Sequence, residues 1–140
     1  MLFRQDFGPA FFMPSHYFIY ILQTQCGAYY TGITTDLKRR LDEHVNSPRG
    51  SKYMRSHRPN AIAAAWKLEP AGVSEETNMR SLASRLESKI KALSRQEKES
   101  LIKKPSAIKG FDSFDGARCH SIHAATRKRI AREVLAKPTS

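Results

Sequence analysis

Two aromatic-rich segments near the start of the chain constrain its fold more than any other feature. Tyr17–Gln23 is dense in aromatic and β-branched residues, and Tyr29–Ile33 repeats that character. Such residues suit a pleated, half-buried surface. Between them lies Thr24–Ala28, where Gly27 offers the backbone freedom of a short turn. The pair predicts a β-hairpin over Tyr17–Ile33. Alternation places Phe18, Tyr20 and Leu22 on one face of the first strand. Tyr30 falls near the end of the second, just before Gly32, whose missing side chain lets another group approach the backbone. Two tyrosines in a small sheet read either as core or as functional residues. If buried, their hydroxyls need partners.

Downstream, the pattern changes to helices. Asp36 is a candidate N-cap for a helix reaching about Asn46. Ser47–Asn60, marked by Pro48, Gly50 and Pro59, reads as a loop loaded with Arg49, Lys52, Arg55 and Arg58. Ala61–Leu68 is a third strand, ended by Pro70 and Gly72. Ser74, followed by Glu75 and Glu76, opens a longer helix that ends near Leu93. Ser94 and Glu97 form a capping-box pattern for a third short helix that stops before Pro105. The order β-β-α-β-α-α predicts an α+β domain: a small three-stranded, mainly antiparallel sheet flanked by helices. We expect this domain at residues 17–103, after an N-terminal tail (1–16) and before a basic C-terminal extension (104–140). In that extension Gly110–Gly116 reads as a loop, and Ser121–Ala136 as a helix carrying Arg127, Lys128, Arg129 and Arg132.

Composition narrows the partner. A chain of 140 residues suits one domain with tails, and can bury a core without disulfide staples. Its 24 Lys and Arg against 13 Asp and Glu give a net charge of +11. That excess points to a polyanion, nucleic acid first, or else to a solubilising surface or a basic tail. Cys26 and Cys119, the only cysteines, make neither a disulfide framework nor a four-cysteine zinc site, so a reducing compartment is expected. Cys119, His120 and His123 are a weak metal signal, three ligands without a fourth. The longest apolar runs, Tyr17–Leu22 and Ala61–Trp66, are too short to span a bilayer, so no membrane partner is expected. Asp6, Gly8, Pro9 and Pro14 interrupt any signal-peptide core, and a cytoplasmic location follows.

The helix from Asp36 holds the most informative conflict. At about 100° per residue, Leu37, Leu41 and Val45 share a face, with Arg40 and His44 beside Leu37. Lys38, Arg39, Asp42 and Glu43 take the opposite side. An ordinary amphipathic helix would place hydrophobes at Arg40 or His44, because facing them inward costs desolvation. Either Arg40 snorkels along the margin and His44 is a satisfied core histidine, or both serve a site. In the longer helix, Met79, Leu82, Leu86, Ile90 and Leu93 form the apolar stripe, and Glu87 sits at its edge. Glu87 either reaches a cleft at the sheet edge or pairs with Lys91, and the residues alone favour the pairing.

Taken together, Phe18-Ile19-Tyr20 and Tyr30-Thr31-Gly32 resemble the two motifs that name the GIY-YIG endonuclease superfamily. The resemblance continues through Thr34–Leu41 and His44, then Lys52-Tyr53 and Arg58-Pro59, and ends with Leu86–Lys91 and Leu93-Ser94. It covers about Tyr17–Ile102 and is strongest to the small stand-alone bacterial branch. Each tripeptide alone is weak, whereas the ordered set is specific. The motifs are familiar variants, and Ile33 stands where some DNA-repair members carry lysine.

The resemblance implies hydrolysis of phosphodiester bonds in DNA, with RNA also open, in DNA repair or recombination. It implies structure selectivity rather than sequence specificity, and Mg²⁺ or Mn²⁺ but no small-molecule cofactor. It carries to five residues. Tyr20 would help activate water, and Tyr30 would orient water or phosphate. Arg40 would bind the scissile phosphate, for which its planar fork is suited. His44 would serve proton transfer or positioning, and Glu87 would hold the metal. A free tyrosine, with a pKa of about 10, is a poor base at neutral pH, so the choice of general base between Tyr20 and His44 stays open, as does the oligomeric state. Lys38, Arg39, Arg49, Lys52, Tyr53, Arg55 and Arg58, with the C-terminal helix, would contact the nucleic acid, chiefly through its phosphates. The alternatives are a non-catalytic nucleic-acid-binding module on the same scaffold, or a protein-interaction domain whose basic surface is incidental.

Overall fold

A computed structural model describes residues 16–46, 57–73 and 77–136. The expected hairpin forms. β1 (Tyr17–Thr24) and β2 (Tyr29–Thr34) pair antiparallel, with Tyr20 directly opposite Gly32. At the turn, Gly27 has φ +86°, a left-handed conformation that glycine adopts without steric cost. β3 (Pro59–Glu69) runs antiparallel along the other side of β1 and extends beyond Ala61–Leu68 at both ends. Pro59 stands at its first position, where a strand tolerates the missing N–H. Pairing with β1 on one side, and burial of Ala64 and Ala65, outweigh the low strand propensity of the alanines.

The sheet has four strands, which corrects the three-stranded expectation. β4 (Arg118–Ser121) pairs antiparallel with Trp66–Glu69 of β3, and the spatial order is β2-β1-β3-β4. The segment Arg-Cys-His-Ser is short and polar, with no hydrophobic period to announce it. The exposed edge of β3 makes it a strand, and Cys119 fastens it by burial. Of the stretch expected as the loop Gly110–Gly116, residues 111–113 are irregular and Phe114–Gly116 forms a 3-10 turn, preceded by a longer one at Pro105–Gly110.

Among the described residues four α-helices flank the sheet. α1 (Leu37–Asn46) is capped by Asp36, whose Oδ1 accepts from the Arg39 N–H at 3.0 Å. α2 (Met79–Lys91) begins later than the sequence implied, because the side chain of Asn78 accepts from the Ser81 N–H. Ser74–Glu76 lie outside the described residues, as do the tail Met1–Ser15 and the basic loop from Ser47 to Ser56. α3 (Arg95–Lys103) carries the complete predicted capping box between Ser94 and Glu97. α4 (Ala124–Leu135) falls within the expected Ser121–Ala136.

The strands alternate their side chains between two faces. Ile19, Ile21, Trp66 and Leu68 pack with Leu82, Leu86 and Ile90 of α2 and Leu101 of α3. On the opposite face Tyr20, Leu22 and Ala65 meet Leu37 and Leu41 of α1 and Val134 of α4. Each fully buried aliphatic side chain stabilises by about 1.5–3 kcal/mol. No helix among the described residues is long and apolar enough to cross a membrane.

Candidate active site

The site starts from one cross-strand pair. The Tyr20 ring lies against Gly32, so a Cβ at Gly32 would sit 2.6 Å from Tyr20 Cζ. The close approach anticipated at this glycine is thus made by the tyrosine of the neighbouring strand, and the two motifs are halves of one contact.

Tyr20 is 2% exposed, and its hydroxyl lies 3.0 Å from His44 Nε2 of α1. Which atom donates depends on the imidazole tautomer. The Tyr30 ring meets the His44 ring edge-to-face, with centroids 5.3 Å apart. His44, 3% exposed, therefore lies between two phenols. Arg40 sits one turn before it on α1, half-buried, and its Nη1 donates to Glu43 Oε1 at 2.9 Å.

Burial dominates the electrostatics. It pushes the Tyr20 phenol well above its ordinary value; Tyr30 and Glu87 add to the rise, and the Arg40 guanidinium partly offsets it. Burial, then the Arg40 charge, lower His44 to about 4, against a smaller opposing effect of Glu43. At neutral pH the phenol is protonated and the imidazole neutral, so the pair shares one hydrogen bond without a net charge.

Glu87 projects from the margin of α2. Its Oε2 is 3.4 Å from Lys91 Nζ, the i,i+4 pairing favoured from the residues alone, and its charge also acts on Tyr20 through space. The structure thus gathers Tyr20, Tyr30, Arg40 and His44 on one face, with Glu87 within electrostatic reach. Glu43 was missed: the sequence places it on the side of α1 away from Arg40, yet it pairs with Arg40. Residues three apart on a helix are neighbours, and that spacing was the available signal.

Of the expected nucleic-acid contacts, Lys38 and Arg39 are exposed on α1. Lys38 Nζ pairs with Glu133 Oε1 of α4 at 3.0 Å, and Arg39 Nη2 reaches Thr35 Oγ1 at 3.3 Å. Arg58 is half-buried, and its carbonyl accepts from the Gln25 N–H at 2.8 Å. Arg49, Lys52, Tyr53 and Arg55 lie outside the described residues. Cys119 is buried whereas His120 is exposed and faces Glu69, so the strand turns them apart. Among the described residues no three His, Cys, Asp or Glu side chains cluster to hold a metal.

Fold and site together describe a small α+β protein with a polar cluster on one face of its sheet. The GIY-YIG catalytic domain family matches residues 16–100, and the chain belongs to that family. A UPF0213 protein of Desulfotalea psychrophila is 39% identical over 98 residues, covering 70% of this chain and 79% of that protein. A UPF0213 protein of Halalkalibacterium halodurans is 39% identical over 87 residues, covering 62% and 82%. One from Vibrio cholerae is 38% identical over 90 residues, covering 64% and 80%. No solved structure matches the chain. β4 and α4 lie beyond the family match.

Proposed function

We propose that the protein is a metal-dependent endonuclease that hydrolyses phosphodiester bonds in DNA, selecting nucleic-acid structure over sequence. The observation that carries this reading is the buried Tyr20–His44 contact, bordered by the Arg40 cation and within reach of the Glu87 charge.

Phosphoryl transfer requires stabilisation of the non-bridging oxygens. Arg40 is placed for that role, and its Glu43 partner holds the guanidinium until a phosphate replaces it. A phenol alone is too weak a base at neutral pH. Here the Tyr20 oxygen takes a proton from the attacking water as its own proton passes to Nε2 of neutral His44, so the two residues act as one base. Engagement of Arg40 by phosphate also lifts part of the charge that depresses His44, which makes the imidazole a better acceptor when substrate is bound.

A single half-buried carboxylate suits Mg²⁺ (or Mn²⁺), since Mg²⁺ retains most of its waters. Glu87 is that carboxylate, and its partner Lys91, with a side chain 57% exposed, is free to swing away. When bound, the ion supplies charge stabilisation and acidifies a coordinated water. Lys38 and Arg39 face solvent on α1 and suit backbone phosphates, which position a substrate without reading its sequence. The Glu87–Lys91 pair is the one observation favouring a non-catalytic nucleic-acid module, because it occupies the metal carboxylate.

The test is cleavage of branched, nicked, flapped and single-stranded DNA, with RNA alongside, in the presence and absence of Mg²⁺. Wild type should cut only with metal, and Glu87→Ala should not cut while its circular dichroism stays native. Equal cutting by both proteins refutes the assignment. Binding without cutting by wild type establishes the module instead.

A further inference from the structure

α4 presents two unlike flanks. At about 100° per residue, Thr126, Arg129, Ile130 and Glu133 lie on one side and Arg127, Lys128, Ala131, Arg132 and Leu135 on the other. The first side faces α1, where Glu133 neutralises Lys38 at 3.0 Å and approaches Arg129 at 3.8 Å. The second borders a groove of about 610 Å³ against the start of β3, with Ile62, Ala131 and Leu135 as its apolar floor. That volume lies within the range of about 300–1,000 Å³ typical of ligand clefts. Among the described residues no acidic side chain lines it.

Arg127 is built into this groove. Its Nε donates to the Ile122 carbonyl at 3.2 Å, and its Nη1 to the carbonyls of Ile62 and Ala63 at 2.9 and 3.0 Å. These β3 carbonyls lie beyond the reach of β4, which pairs only from Trp66 onward. The guanidinium therefore protects a bare sheet edge and is fixed by it. Three N–H groups are used, which leaves the two on Nη2. Among the described residues no carboxylate pairs with Arg127 or Lys128, although Arg127 is half-buried, and Arg132 meets the charge of neighbouring Glu133 only through space. A half-buried cation without a counter-charge is a standing electrostatic demand for an anion.

We infer that this groove is a second nucleic-acid site, taking the phosphodiester backbone of a single strand on Arg127, Lys128 and Arg132 with a base or sugar over the apolar floor. A duplex would offer only phosphates and leave the floor unused, whereas an unstacked strand satisfies both. The groove lies on the flank of α4 away from α1. A strand held there and at the catalytic face must cross α4, which would favour substrates with a flexible arm. The inference rests on the nucleic-acid part of the proposed function but not on cleavage.

The experiment is anisotropy of a fluorescein-labelled single-stranded DNA oligonucleotide without divalent metal, titrated over salt concentration. Lys128→Gln with Arg132→Gln should weaken binding by about tenfold and reduce the log–log salt slope by about 1.4, the release expected for two single-strand phosphate contacts. Lys103→Gln with Lys104→Gln removes the same charge near the end of α3 and should leave the slope near wild type. Thermal unfolding of each variant verifies the fold. Equal losses in both pairs, or none in the groove pair, overturn the site. A slope change in a protein that cuts no DNA leaves the groove standing and removes the nuclease assignment.

Discussion

The two faces of the same sheet are made from alternate residues of the same strands, yet they differ in chemistry. On the α2–α3 face, Ile19, Ile21, Trp66 and Leu68 meet aliphatic side chains, and the core is apolar. On the α1–α4 face, Tyr20 bonds to a buried imidazole beside Arg40, and Arg127 caps a sheet edge nearby. The first face stabilises by excluding water. The second carries polar groups whose desolvation is tolerated because each finds a hydrogen-bonding partner, and no buried side-chain polar atom among the described residues lacks one. A strand of period two thus lets one sheet separate an apolar core from a polar, hydrogen-bonded face.

That separation is directly breakable. Arg40→Ala should lower cleavage by about 10²–10³-fold, the scale of one lost charge-stabilising donor, with little change in melting temperature. Leu86→Ala should do the opposite, costing about 2–5 kcal/mol of stability while kcat of the folded fraction stays near wild type. Denaturation curves paired with rates measure both, and a variant that moved the two together would dissolve the distinction between the faces.

Gly32→Ala sharpens it. The added methyl collides with Tyr20, so the phenol must shift by a fraction of an ångström or more. A loss near 10²-fold in cleavage is expected for a misplaced reacting group, accompanied by a smaller fall in stability. Full activity in Gly32→Ala would show that the Tyr20 position is not critical.

The pH dependence of stability tests the buried imidazole. Folding holds His44 at about 4, below its ordinary 6.5. Above that ordinary value both folded and unfolded chains carry it neutral, and its contribution is complete. As pH falls from 6.5 toward 4 the unfolded chain takes up the proton and the folded chain does not, so stability declines, by roughly 2 kcal/mol between pH 7 and pH 5. Urea titrations of wild type and His44→Gln should diverge in slope over that window. Parallel profiles would mean that His44 is solvated. The smallest effect belongs to Ser94→Ala, which removes the capping box of α3 and should cost about 1 kcal/mol without touching cleavage.

Much of the fold was legible because its signals are local. The hairpin follows from residue type around Gly27, and the capping box from Ser94 and Glu97. The start of α2 was misread because Ser74, Glu75 and Glu76 carry a generic start signal, while Asn78 makes the bond. Arg40 and His44 were visible as misfits in an apolar stripe, but Glu43 was assigned to the wrong side of its helix.

By itself the sequence determined the local propensities, the strand alternation and the identity of the polar misfits, since these depend on neighbours within a few positions. Tertiary structure alone decided that a short polar segment becomes the fourth strand and that Tyr20 meets Gly32 and His44. It also left Arg127 without a counter-charge among the described residues. Such contacts join residues far apart in the chain, and their energies depend on burial and on which partners packing brings within bonding distance.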